Sequence, residues 1–115
     1  PLKFEIDGYT IFVGRNNNEN DWLSLTFANK DDMWFHTKDI HGSHVILRND
    51  KPFSDDILVV CAKIAAKYSK ASLSSNVPVD YCLAKFVKKP RSMNPGMVIF
   101  TNNKTINVNP LDLNL

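Results

Sequence analysis

No apolar run in this 115-residue chain approaches the roughly 20 residues needed to cross a bilayer, and no charged-then-apolar leader opens it. Nothing in it therefore points to a membrane partner. Cysteine is scarce: Cys61 lies in an apolar helix-like run and Cys82 in a strand-like one, without the spacing of a metal knuckle. Both read as small buried hydrophobes of a reducing compartment rather than as a disulfide framework. Acidic residues are absent from Tyr81 to Leu111, a stretch that holds Lys85, Lys88, Lys89, Arg91 and Lys104. The net charge of +2 is too small to establish an affinity for nucleic acid, whereas this local excess implies a basic face. Internal repeats and low-complexity tracts are missing, and 43% hydrophobic with 23% charged residues excludes the disordered and fibrous classes.

Catalytic signatures are missing as well. Three histidines, His36, His41 and His44, cluster closely, yet neither HExxH spacing nor a flanking cysteine supports zinc. Gly42-Ser43-His44 is too contiguous to place a serine and its base in triad geometry, and there is no Gly-x-Ser-x-Gly elbow. The expectation is a non-enzymatic chain with no catalytic residue, metal or cofactor.

What is present reads as one domain, and a first residue of Pro1 rather than Met suggests a piece of a longer polypeptide. Lys3-Phe4-Glu5-Ile6 alternates, Asp7-Gly8 offers a turn, and Tyr9 to Val13 is β-branched and aromatic, which together predict a hairpin. The spacing of Trp22, Leu25 and Phe27 or Ala28 predicts a short helix over 21–28. Met33 to His36 and His44 to Arg48 read as strands. Ser54-Asp55-Asp56 starts a second helix that should run to about Lys70, with Ile57, Cys61, Ile64, Ala65 and Tyr68 inward and Lys63, Lys67 and Lys70 toward solvent. Val77 to Val87 alternates as one long strand, and Met97 to Thr101 with Lys104 to Val108 reads as a closing hairpin. The predicted fold is α+β: a mainly antiparallel sheet of about six to seven strands, with two main helices packed on it.

Three segments are candidates for binding. Gly14-Arg15-Asn16-Asn17-Asn18-Glu19-Asn20-Asp21 sets a guanidinium and four amides at a predicted helix start, where free backbone N–H groups favour anions. It is either a ligand platform or an elaborate turn in which Asn20 or Asp21 caps a helix beginning at Trp22. His36 and His44, at the ends of adjacent strands, should bring their rings to one sheet edge, or else each is bonded locally. Lys88-Lys89-Pro90-Arg91 is a phosphate-contacting loop or a solvated one. Trp22 and Trp34 read as core.

Taken in order, Gly14-Arg15-Asn16-Asn17 with Asn20-Asp21, Trp34-Phe35-His36, Gly42-Ser43-His44-Val45, Ala65-Ala66-Lys67-Tyr68-Ser69, Val79-Asp80-Tyr81, Val87-Lys88-Lys89-Pro90 and Pro95-Gly96 resemble the NFACT RNA-binding domain. The resemblance covers essentially the whole chain, residues 1–115. It implies an RNA-binding module at the C-terminal end of a longer protein, after an N-terminal domain and a coiled coil. The family role it implies is cytoplasmic, ribosome-associated quality control, with tRNA and the large ribosomal subunit as partners and alanine tailing as the outcome. The alternative is a cell-surface adhesin that binds fibronectin. Carried over from the matching motifs, the expected RNA contacts are Arg15, Asn16, Asn17, Asn20, Asp21, His36, Ser43, His44, Lys88 and Lys89, with Arg91 beside them as a further cation.

Overall fold

Asp7 and Gly8 both hold positive φ, 53° and 80°, the pair of left-handed residues that a two-residue hairpin turn requires. They join β1 (Leu2–Ile6) to β2 (Tyr9–Val13). A computed structural model describes residues 1–115 and places these two strands at one side of a six-stranded sheet. With β3 (Met33–Thr37), β4 (Val45–Leu47), β5 (Val77–Leu83) and β8 (Lys104–Val108), the spatial order is β1-β2-β4-β3-β5-β8, every neighbouring pair antiparallel. A separate ribbon pairs β6 (Val87–Lys88) with β7 (Ile99–Phe100). The fold is the expected α+β arrangement.

Strand alternation divides the core in two. Phe35, Val45, Val77 and Val79 face α2 (Asp55–Lys67), which lays Ile57, Cys61, Ile64, Ala65 and Ala66 across the sheet. Burying Ile57 and Ile64 contributes about 1.5–3 kcal/mol each. Ser54 caps α2 as expected, its Oγ accepting the Ile57 N–H at 3.1 Å. On the opposite face Trp34, paired in register with Ile46 and Cys82, joins Leu23 and Val87 in a smaller cluster. Cys61 and Cys82 are both buried free thiols, and burial raises both, Cys82 to about 11.

Four expectations change. The first helix, α1 (Asn17–Trp22), begins inside the asparagine run, capped by Asn16 rather than by Asn20 or Asp21. It passes into a wider π turn, Leu23–Phe27, whose Ala28 N–H reaches back to the Leu23 carbonyl at 2.9 Å. Trp22 lies on the outside at 45% exposure, while Trp34 is fully buried. The long strand predicted to Val87 breaks at Leu83, because the Ala84 and Lys85 N–H groups bond the carbonyls of Asp32 and Lys30, at 2.8 and 3.1 Å. The predicted closing hairpin does not form: β7 pairs with β6 and β8 with β5. Phe100 packs on Trp34, 4.8 Å between rings, while Ile106 joins the α2 core, so the two strands serve opposite faces of the sheet.

Candidate nucleic-acid interface

The start of α1 is closed by its own polar residues. Asn16, extended at φ −159°, accepts the Glu19 N–H at 2.9 Å. The Glu19 carboxylate in return takes the Arg15 N–H at 3.0 Å and Nη2 at 2.7 Å. This reciprocal arrangement satisfies donors that a helix start leaves open. The Arg15 guanidinium, helped by the N-terminal ammonium, holds the Glu19 carboxyl down at about 2. Asn20 is buried, and its Oδ1 accepts the His44 N–H at 3.0 Å. That oxygen occupies the space where a side chain on Gly14 would stand.

His36 lies near the end of β3 and His44 just before β4, and the antiparallel pairing sets their rings 5.2 Å apart. Both rings rest against Trp34. Trp34 Nε1 donates to Ser24 Oγ at 3.0 Å, and that hydroxyl is hydrogen-bonded to His44 Nδ1 at 2.7 Å. His44 is a neutral ring. Its burial, reinforced by repulsion from a charged His36, pushes it down to about 3. Burial lowers His36 as well, against the backbone of Gly42 and the Asp80 carboxylate.

Two cavities open along this edge. The first, about 310 Å³, has Trp34, His36, His44 and Phe100 in its wall, with Asp39 and Asp80 as its acids. The second, about 400 Å³, is lined by Arg15, Asn16, Asn20, Ser43, Lys67 and Lys70 among others, and holds no acid. Asn17, His41 and Gly42 line both, so the cavities adjoin.

The basic loop behaves differently. Lys89 Nζ donates to the carbonyls of Asn94 and Met97 and sits 3.4 Å from Asp21, which also accepts the Gly96 N–H at 3.1 Å. Asp21 and Lys89 thus fasten the 94–97 turn onto α1, and that turn supplies Gly96 and Met97 to the first cavity. Lys88 and Arg91 are exposed and line neither cavity. Of the candidate residues, the fold gathers Arg15, Asn16, Asn17, Asn20, His36, Ser43 and His44. It sets Lys88 and Arg91 apart and employs Asp21 and Lys89 internally.

Lys67, Lys70 and His41, none of them among the expected RNA contacts, join the gathered set. They arrive because the 41–43 segment zips onto the end of α2: Ser43 N–H donates to the Tyr68 carbonyl at 3.0 Å and Lys70 N–H to that of His41 at 2.9 Å. Gly42 and Ser69 form a bridge so close that a side chain on Gly42 would meet Ser69 Cβ at 2.7 Å. A glycine beside Ser43 was the one local sign of this approach.

A model of the NFACT protein RNA-binding domain matches residues 3–102. The chain belongs to that family. It is 47% identical over 103 residues to the Rqc2 homolog RqcH of Bacillus subtilis, covering 90% of this chain and 18% of that protein. The Streptococcus pneumoniae RqcH is 43% identical over 105 residues, covering 90% and 19%. Mouse coiled-coil domain-containing protein 25 is 28% identical over 106 residues, covering 87% of the chain and half of that protein. Among solved structures, the C-terminal of the fibronectin/fibrinogen-binding protein from Streptococcus suis superposes with a TM-score of 0.89 at 40% identity, covering 96% of this chain and 45% of that one. The chain thus spans less than a fifth of the RqcH proteins it resembles. No helix is long and apolar enough to cross a membrane.

Proposed function

We propose that this domain is a non-catalytic RNA-binding module of a ribosome quality-control factor. It contacts tRNA or large-subunit rRNA on stalled ribosomes in the cytoplasm, through sugar and phosphate, and thereby supports addition of alanine tails. The observation that carries this reading is the meeting of Arg15, the Asn16–Asn17 amides, the histidine pair and the end of α2 around two adjoining cavities. Family membership and the RqcH likeness supply the ribosomal context.

The test is a titration of the chain with tRNA and with heparin across a salt series. Log affinity for tRNA should fall linearly with log salt, and Arg15→Ala should flatten that slope by about one contact. Salt-insensitive binding, or binding to heparin as tight as to tRNA, overturns the proposal.

The Streptococcus suis structural relative favours a second reading, a module that captures fibronectin. Immobilised fibronectin should retain the chain on that reading and leave it unbound on the first.

A further inference from the structure

We propose that the two adjoining cavities form one site for a single unpaired nucleotide, its base in the aromatic cavity and its phosphate in the basic one. This rests on the RNA-binding reading and assigns the kind of strand recognised.

The distribution of charge sets the orientation. Asp39 and Asp80 line the first cavity, so a phosphate is repelled there, while the second offers Arg15, Lys67 and Lys70 with no acid. Lys67 and Lys70 are exposed and make no ion pair or side-chain hydrogen bond, and Arg15 Nη1 has no internal partner although Nη2 and Nε engage Glu19. Complementing the negative end of α2 would account for one lysine in its last turn. It does not account for Lys70, which lies beyond the helix, nor for Arg15, which comes from the other side of the cavity ahead of α1.

The first cavity suits a base. Its volume sits at the small end of ligand pockets, roughly 300–1,000 Å³. His36 and Phe100, both partly exposed, present ring surfaces at its wall, and the buried Trp34 backs them. A base can reach such rings only when it is not stacked within a duplex. Asp80 Oδ1 is occupied by Thr105 at 2.6 Å, Asn103 at 3.1 Å and Lys38 at 3.7 Å. Its Oδ2 has no partner, and no buried side-chain polar atom lacks one, so Oδ2 is accessible to solvent in a residue that lines the cavity. A carboxylate oxygen there accepts from the amino group of adenine, cytosine or guanine. At the junction, Asn17 and His41 can reach the ribose, and Gly42 keeps the passage free of a side chain.

The experiment compares three labelled RNAs by fluorescence anisotropy at one salt concentration: a mixed-sequence single strand, the same strand annealed to its complement, and oligouridine. The mixed single strand should bind about tenfold tighter than the duplex, the worth of one base stacked on a ring. Oligouridine should bind more weakly than the mixed strand. His36→Ala, and independently Met97→Glu at the exposed rim, should weaken single-strand binding more than duplex binding and so abolish the single-strand preference. Lys67→Ala with Lys70→Ala should weaken all three RNAs and flatten the single-strand salt slope by about 1.4. Equal affinity for single strand and duplex, with the lysine effect intact, overturns the single-nucleotide site and leaves the RNA-binding reading standing. No binding to any RNA overturns both.

Discussion

Asn20 Oδ1 accepts the backbone N–H of His44 at 3.0 Å across 24 residues of chain, and this one bond holds α1 against the mouth of β4. Both residues are nearly fully buried, so water cannot replace either partner. Asn20→Ala leaves the His44 N–H unpaired and should cost about 1–3 kcal/mol. Urea unfolding of the two proteins measures it, and an unchanged midpoint would contradict the assignment of this bond.

Asp21 and Lys89 should act as a unit. Each fastens the 94–97 turn, the first through the Gly96 N–H and the second through two carbonyls. A double-mutant cycle of Asp21→Ala and Lys89→Ala should give a coupling of about 0.5–1 kcal/mol, as the pair is only partly shielded from solvent. Additive effects would show that the 3.4 Å approach carries no energy.

Gly42 admits no side chain without moving backbone. Its added Cβ would meet Ser69 Cβ at 2.7 Å and Ser69 Cα at 3.1 Å. Gly42→Ala should lose about 1–3 kcal/mol through overpacking. Combined with Ser69→Gly, the loss in melting temperature should be smaller than the sum of the two single losses; full additivity would place the cost elsewhere.

Stability should fall with pH in a window set by the buried histidines. His44 drops from 6.5 in the unfolded chain to about 3 in the fold. Between those values the unfolded state binds the proton and the native state does not. The stability is therefore whole above about 6.5 and is lost progressively as pH falls toward 3. From pH 7 to 5 the loss through His44 should be about 2 kcal/mol, with His36 acting in the same direction. Glu19, lowered from 4.5 to about 2, adds its own loss only below about 4.5, outside the range from pH 7 to 5. Urea titrations of the native chain and His44→Gln should show a shallower decline in the variant, and identical profiles would refute the neutral buried ring.

Asp32 is 1% exposed and is neutralised by Arg48 at 3.0 Å, with N–H groups of Asn29 and Asn49 completing its shell. The same guanidinium lies 4.5 Å from the Phe27 ring centre. Arg48→Ala strands a buried carboxylate and should cost about 3–5 kcal/mol. A loss under 1 kcal/mol in denaturant unfolding would mean that water reaches Asp32 when the arginine is gone.

Local signals carried much of this fold. Asp7-Gly8, Ser54-Asp55-Asp56 and the alternation that starts at Val77 act within a few residues, through left-handed φ, a cap and a two-residue period, and each element begins where these place it, although the strand expected to reach Val87 stops at Leu83. Asn16 to Asn20 misled because asparagine is a weak helix former, while the bonds that make the helix there are reciprocal ones between Asn16, Arg15 and Glu19. The strand partners of Ile99–Phe100 and Lys104–Val108 could not be read locally, since each strand is apolar enough for either face of the sheet.

The amino-acid order by itself determined the α+β class, the capped helix, the family and the polar types available for binding. Tertiary structure alone decided which cations meet. Lys67 and Lys70 stand beside Arg15 because a bridge between Gly42 and Ser69 brings distant segments together, and Lys89 is drawn inward because Asp21 waits for it. Charge can be counted along a chain, but the side on which it accumulates follows from long-range backbone pairing.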